Sequence, residues 1–476
     1  MARLTALKIY KYLPGTNCKE CGYDSCMAFA VDMVSKKVHP ENCPPLKGKK
    51  KEELIKLITE PVKPVVVEAA DGSKIKIGGE EVIYRHEERF YNPAAMLVEI
   101  DDSLPNDAIK EKIKFLKDLN IERIGNILSL DGVCACSKTG DLNKFKNLTA
   151  IVCDELKGTS KILMLASFKT EFIKEAANIA RDRGIKPILY ASSGNFQDIL
   201  KIAKEHDDLA VVINEKNPDN IGAITHAISG AHFENIIIDP ALVPFGEGMK
   251  DCVDKLAQIR KSAIEGGISQ MGYPIFANSS VIHNFFNTPE GGDGNPGKLS
   301  EHASYYESLA ASILLDRFVD LLILKTCEIW AILPLLYLRL NIYTDPRVEP
   351  MVEPKIYEIG KPDENSPVLV TTNYALTYFA LSGDAESSKV NAWAVVVDTG
   401  GLAVLVAVAA NKLNGSVIKA AFDEMRIEEK VKHRKLILPG VSASVQGQVE
   451  DETGWEVIVG PRDSSTIGPF LKEKWK

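Results

Sequence analysis

An α/β fold in three parts is predicted by three observations. Four of the nine cysteines fall between residues 18 and 43, and eight short apolar runs alternate with amphipathic stretches between residues 94 and 326. Behind a proline-rich break near residue 350, four more apolar runs are each followed by a loop rich in Gly, Ser or Thr. These mark a small cysteine module at 1–60, a linker and hairpin at 61–93, a (β/α)8 barrel at 94–345, a second linker at 346–366 and a compact α/β unit at 367–476.

The module is predicted by LPGTNCKECGYDSCMAFAVDMVSKKVHPENCPP, in which Cys18, Cys21, Cys26 and Cys43 stand in a C-x2-C-x4-C-x16-C spacing. Four thiolates so close together suit a [4Fe-4S] cluster. Gly15 and Gly22 let the backbone turn tightly around a bulky centre, and Pro44-Pro45 stop the chain after the last sulfur. Cys26 opens an apolar run, 27–31, with the spacing of a short helix. Structural zinc is the competing reading, but its four thiolates usually come as two separated C-x2-C knuckles. Disulfides fit poorly with a chain whose first residues, MARLTALKIYKYLPG, lack the apolar segment of a signal peptide; a cytoplasmic protein is expected.

Composition bounds the function. With 476 residues, 45% apolar and 26% charged, the chain has material for about three domains. A net charge of -8 argues against any general attraction to nucleic acid or to an anionic membrane. The longest apolar run, 329–338, contains Pro334 and is shorter than the roughly twenty residues that span a bilayer, so it reads as a buried helix or subunit contact.

Taken in order, Lys47 and Lys49 to Lys51 read as a solvated tether, with docking of an acidic partner as the alternative. The spaced prolines Pro61 and Pro64 read as linker, and Asp71-Gly72 between Val65–Val67 and Lys74–Ile77 as a hairpin turn. The eight runs, at 96–100, 126–130, 162–166, 187–191, 210–214, 235–239, 273–277 and 321–325, are nearly continuous apolar stretches, as expected of parallel strands buried on both faces. Their number and span match a barrel, with an open doubly wound sheet as the alternative. The barrel's strand ends offer Asp101, Asp102, Asp131, Asn214, Glu215, Asp239 and Asn278, without a paired His–carboxylate or Ser–His arrangement, and Cys134 and Cys136 form only a C-x-C.

In the C-terminal unit, strands are predicted at 368–371, 392–397, 435–438 and 455–459, with helices after Asn373, Gly415, Ser442 and Ser465. The loops Thr371-Thr372-Asn373, Asp398-Thr399-Gly400-Gly401, Pro439-Gly440 and Gly460 to Ser465 should share one edge. Open α/β sheets bind ligands there, and bare N–H groups and hydroxyls suit a large amide-rich or phosphate-bearing cofactor. Helix caps and turns use the same residues, which is the plainer explanation of each loop taken singly.

Through LPGTNCKECGYDSCMAFA, SPVLVTTNYALTYFALSGDAESS and HRKLILPGVSASVQGQVEDETGWEVIVGPRDSS, the chain resembles the large (gamma) subunit family of corrinoid iron–sulfur proteins, end to end. The resemblance implies a [4Fe-4S] domain, a TIM barrel and a C-terminal Rossmann-like corrinoid-binding domain. It carries the cluster ligands onto Cys18, Cys21, Cys26 and Cys43, and the corrinoid contacts onto Thr371, Thr377, Gly401, Leu402, Ala403, Val404 and Ser464.

What it implies for activity is a Co-methyltransferase component of acetyl-CoA synthesis or cleavage. Such a carrier accepts a methyl group from a methyl-tetrahydropterin on Co(I) and passes it to the acetyl-CoA synthase metal centre, or the reverse. The partners implied are a small (delta) subunit as heterodimer, acetyl-CoA synthase and carbon monoxide dehydrogenase subunits, and a methyl-tetrahydropterin or its methyltransferase. No D-x-H-x-x-G is present, the motif that sets a histidine beneath cobalt in other corrinoid proteins, so a base-off, histidine-free cofactor is expected. The alternative function is an iron–sulfur electron-transfer subunit of a dehydrogenase complex without corrinoid; a barrel enzyme with its own active site is a third class.

Overall fold

The structure, a computed structural model, describes residues 5–475 apart from 35–36, 59, 88, 124–125, 232, 287–295 and 346–349. The chain divides into two compact units, residues 1–120 with 128–344, and residues 121–127 with 345–476.

The first unit begins with the cysteine module. Helix Cys26–Val34 buries Phe29, Ala30 and Met33 against Ile9, Leu13, Leu46 and Leu54. The lysine patch is no open tether: Lys49 to Lys51 form the first turn of helix Lys49–Ile58. Strands β1 (Val65–Glu68) and β2 (Lys74–Ile77) then pair antiparallel, as the Asp71-Gly72 turn predicts, with Gly72 at a φ of 85°. Val65, Val67 and Ile77 pack among Ala95, Leu97, Ile162 and Leu321, so the hairpin plugs the amino-terminal end of the barrel. The proline-spaced stretch before it is tied down by Val62 and Lys63 N–H groups donating to the Glu80 and Gly272 carbonyls.

The barrel strands follow β3 (Ala95–Asp101). Next come β4 (Ile121–Arg123) and β5 (Asn126–Leu128), then β6 (Gly132–Cys136), β7 (Ile162–Ala166), β8 (Ile188–Ser192), β9 (Val211–Asn214), β10 (Ile236–Asp239), β11 (Phe276–Asn278) and β12 (Leu321–Leu324). Eight of these pair in parallel in the order β10-β9-β8-β7-β6-β3-β12-β11, and a bridge between Ile238 and Ile275 brings the two edges together. The result is a nearly closed (β/α)8 barrel.

One expected strand is corrected. Residues 126–128 lie in a separate two-stranded sheet with β4, where Ile127 is 71% exposed, and the second barrel strand is Gly132–Cys136. Its small residues do not read as an apolar run, yet they are needed: a Cβ on Gly132 would stand 2.0 Å from the Ile162 carbonyl oxygen. Asp131 therefore precedes its strand, away from the rim, where it accepts from the Met96 N–H at 2.8 Å and pairs with Arg339. The apolar run at 329 forms helix Ile329–Tyr343, burying Ile332, Leu335 and Leu336. Among the described residues no helix is long and apolar enough to cross a membrane.

In the second unit, β13 (Ile356–Ile359), β14 (Val368–Thr372), β15 (Ala392–Val397), β16 (Lys435–Leu438) and β17 (Glu456–Val459) form one sheet ordered β13-β15-β14-β16-β17. β13 is antiparallel to β15, and the other four strands are parallel. The parallel strands thus run 2-1-3-4, the flavodoxin-type doubly wound order rather than the classic Rossmann order. Helices Ala375–Ser387 and Ile467–Lys474 cover one face, and Val404–Ala409, Gly415–Met425 and Gln446–Thr453 the other. Part of the expected second linker, 356–359, is therefore an edge strand, and 346–349 lie outside the described residues.

A buried ion network holds the amino-terminal side of the barrel. Arg260, 1% exposed, donates to Asp320 Oδ2 at 2.7 Å and to Glu80 Oε2 at 3.4 Å. One guanidinium serves two carboxylates. Burial, then the Asp320 charge, pushes the Glu80 carboxyl up to about 8 from its ordinary 4.5. Across that window the folded chain holds a proton that the unfolded chain has released, so this site loses stability as pH rises from 4.5 toward 8. Glu80→Gln removes the titration, and its melting temperature should fall less over that range than the parent's. Scanning calorimetry at stepped pH measures this; parallel pH profiles would mean that Glu80 ionises normally.

Candidate functional site

The four cysteines of the module line one cavity together with Leu13, Pro14, Asn17, Tyr23 and Phe29. Cys26 and Cys43 are buried, Cys21 is half-buried and Cys18 is exposed, so one side of the cavity faces outward. The loop winds around it through left-handed residues at Gly15, Asn17, Lys19 and Gly22, with φ of 72°, 48°, 64° and 83°. Only the two glycines take that conformation without steric cost. Asn17 Oδ1 accepts the Cys26 N–H at 2.8 Å, tying the loop to the start of the helix. Cys26 is thus the first helical residue, where the partial positive charge of the helix end favours an anionic centre.

The fourth thiol arrives from Pro40–Asn42, a single 3-10 turn that ends at Cys43. Burial pushes the Cys43 thiol up, and the Cys21, Cys26 and Cys18 sulfurs add to the shift. A strongly positive core beside it would favour the Cys43 thiolate. Among the described residues no three His, Cys, Asp or Glu side chains are arranged to hold a single metal ion. The four cysteines share the lining of this one cavity.

The second candidate site is the carboxyl edge of the C-terminal sheet. Parallel pairing of β14, β15, β16 and β17 brings their following loops to one edge, as the sequence predicts. β14 and β16 share only the Leu369–Ile437 pair, and the order in which strands are added to the sheet reverses there, β15 lying on one side of β14 and β16 on the other, which opens the crevice where such sheets take ligands. Loops after β16 and β17 close on each other: the Gly440 N–H donates to the Pro461 carbonyl at 2.9 Å. A Cβ on Gly440 would lie 2.6 Å from the Gly460 carbonyl oxygen, so only glycine permits that approach.

Of the residues carried over from the resemblance, Thr371 is the penultimate residue of β14, on the Leu369 face covered by helix Ala375–Ser387; Thr377 lies half-buried in that helix. Ser464 donates to Asp384, which sits in the same helix. Gly401 is buried, Leu402 and Ala403 are half-buried, and Val404 opens the helix on the opposite face. The set therefore straddles the sheet edge. Thr371 Oγ1 and Thr372 Oγ1 are buried without a hydrogen-bond partner, a state that costs about 1–3 kcal/mol per group. Leu376, Leu405 and Val406 stand 55%, 64% and 52% exposed at the starts of the two helices, giving this edge an apolar rim.

Sequence reasoning missed the residues that join these loops. Asn373, 2% exposed, donates from Nδ2 to Asp398 Oδ1 at 2.9 Å. Its Oδ1 accepts the Thr399 N–H, the Thr399 hydroxyl and the Gly401 N–H at 3.0, 3.0 and 3.1 Å. The one available signal was an amide residue directly after a strand.

The barrel rim is more polar than expected, yet paired within itself. Glu99 accepts from Ser280 and lies 3.9 and 4.0 Å from Lys138 and Lys325. Asp239 accepts from Tyr190 at 2.7 Å and from Asn214 at 2.8 Å. Cys134 and Cys136 stand 3.6 Å apart, and that contact together with burial pushes the Cys136 thiol well up, leaving a poor nucleophile.

Comparisons with known proteins agree with this layout. A family model described as CO dehydrogenase/acetyl-CoA synthase delta subunit matches residues 65–471, and one described as an Fe-S cluster matches residues 13–45. The chain is 38% identical to the acetyl-CoA decarbonylase/synthase complex subunit gamma of Methanocaldococcus jannaschii, over 99% of this chain and 96% of that one. It is 38% identical to the subunit of that name in Methanopyrus kandleri over 100% and 98%, and 35% identical to that of Archaeoglobus fulgidus over 98% and 98%. Among solved structures, a dihydropteroate synthase from Thermus thermophilus aligns with 58% of this chain and 100% of its own at 14% identity, with a TM-score of 0.37, too slight a likeness to bear on function. On these matches the chain belongs to the gamma-subunit family of the acetyl-CoA decarbonylase/synthase complex.

Proposed function

We propose that this chain is a corrinoid- and [4Fe-4S]-bearing methyl carrier: it takes a methyl group from a methyl-tetrahydropterin and delivers it to the acetyl-CoA synthase metal centre, or runs in reverse. Cys18, Cys21, Cys26 and Cys43 hold the cluster. Thr371, Thr377, Gly401 to Val404 and Ser464 would hold the corrinoid. A bound corrinoid supplies a cobalt that accepts and releases the methyl group.

The residues present fit such a group. The buried hydroxyls at 371 and 372 lack partners, and the apolar rim of Leu376, Leu405 and Val406 suits the face of a macrocycle. The observation that carries the reading is the position of His433, the single histidine of residues 345–476. It lies ahead of β16, at the amino edge opposite the loops, where its Nε2 is 3.0 Å from the Ser366 carbonyl and its Nδ1 accepts the Lys435 N–H at 3.2 Å. The C-terminal unit thus has no imidazole of its own at the edge where cobalt would sit. A corrinoid bound there would supply a methyl-carrying cobalt that a low-potential reductant would have to keep reduced, the role assigned to the cluster.

The relatives are named as subunits of a complex, and by that likeness we assign this chain a delta-subunit partner together with acetyl-CoA synthase and carbon monoxide dehydrogenase subunits. A cofactor seated at one open sheet edge leaves its far face for them. The barrel, with its rim charges mutually paired, serves as scaffold.

Anaerobic purification should yield a chain with one cobalt and four irons; iron and sulfide without cobalt would instead make it an electron-transfer subunit. Cys26→Ala should keep the cobalt yet lose reductive reactivation, measured by titration with a low-potential donor, and undiminished reactivation would remove the cluster from the mechanism. Asn17→Ala deletes the acceptor of the Cys26 amide, a bond worth about 1 kcal/mol. Its iron should be lost to a chelator several times faster, and an unchanged rate would show that Asn17 does not brace the cluster loop.

A further inference from the structure

We propose that Asn373 is the positioning residue of the corrinoid seat: its side-chain amide is a latch that holds the loop 398–403 in the one backbone path that can receive the cofactor. This rests on the corrinoid reading above and deepens it.

The geometry is specific to an amide. Asn373 sits at the end of β14, and its backbone is fixed on both sides, its N–H donating to the Val397 carbonyl and its carbonyl accepting the Val352 N–H, each at 2.9 Å. From that anchor the side chain reaches across to the neighbouring loop and makes four contacts at 2.9–3.1 Å. Oδ1 gathers three donors, and Nδ2 donates to Asp398, which also accepts the Gly400 N–H at 2.9 Å. Two of the loop residues so held, Gly400 and Gly401, have φ of 71° and 77°. A loop made of two left-handed glycines has little intrinsic preference for one path. The amide supplies it. The Thr399 hydroxyl lies between Asn373 Oδ1 and the Leu402 carbonyl, at 3.0 and 3.1 Å, and its single proton serves one of them at a time, so the segment Gly401–Val404 is set from Asn373 chiefly through the Gly401 N–H.

An aspartate of the same shape would accept the three donors but place an oxygen where Nδ2 now faces Asp398. Two carboxylates at that separation share one proton rather than ionise together. Protonated, the pair can remake the latch through an O–H donor; ionised, it must open. The nearby segment 351–355 carries Glu353 and Lys355, which pair with each other at 2.7 Å, and the loop after β17 carries Arg462 and Asp463. Asp398 is the titratable group that Asn373 itself bonds.

The test uses the full-length holoprotein, purified anaerobically, with corrinoid release followed after gel filtration from pH 5.5 to 8.5. Asn373→Asp should release its corrinoid about tenfold faster than the parent at the alkaline end, the loss expected for about one charge-assisted hydrogen bond, and approach the parent rate at the acid end. Thr399→Val, which keeps the shape and removes one lock, should release a few-fold faster at every pH. Iron content should be unchanged in both. Parent-like release from both variants across the whole range would overturn the latch. A fast, pH-independent release from Asn373→Asp would also overturn it, because that is what mere disruption of the loop produces. A parent protein that holds no cobalt would instead refute the corrinoid reading beneath it.

Discussion

Parallel strand pairing places every carboxyl end at the same edge of a sheet, and the C-terminal unit depends on that constraint. The four parallel strands deliver four loops to one line, and the switch in strand order between β14 and β16 parts two of them. What the loops then do is decided by polar contacts too short-ranged to span the edge unaided. Asn373 ties the first loop to the second, and the Gly440 N–H ties the third to the fourth. A large cofactor needs such a seat ready before it binds, since ordering loose loops around it would consume much of its affinity.

The cysteine module meets the complementary problem. An iron–sulfur core is too charged to bury without ligands and too large for one turn of chain. Here a left-handed loop, a helix start and a separate 3-10 turn each supply sulfur to one cavity. Cys18 is the one of the four sulfurs that faces outward. A small core of Ile9, Leu13, Phe29 and Leu54 is enough to keep these pieces in register.

Much of this was legible in the sequence, and the gaps have physical reasons. The cysteine spacing and the four loops are local patterns, and local geometry keeps them. The second barrel strand was misplaced because Gly132–Cys136 is built from small residues chosen for close approach to Ile162, while the more apolar 126–128 pairs elsewhere. The edge strand 356–359 hid in a proline-rich stretch because one antiparallel neighbour, β15, is all it needs. Asn373 was invisible as a hub because its partners lie 25 to 28 residues away along the chain. Nor does periodicity distinguish one doubly wound strand order from another: that choice is made by which helix covers which face, a tertiary outcome.

In the proposed function, the iron–sulfur centre maintains a cobalt with no protein nitrogen beneath it. Electron paramagnetic resonance of the purified chain poised in its Co(II) state tests this most directly. Cobalt lines free of nitrogen splitting are predicted, and a splitting pattern from an axial nitrogen would contradict the account.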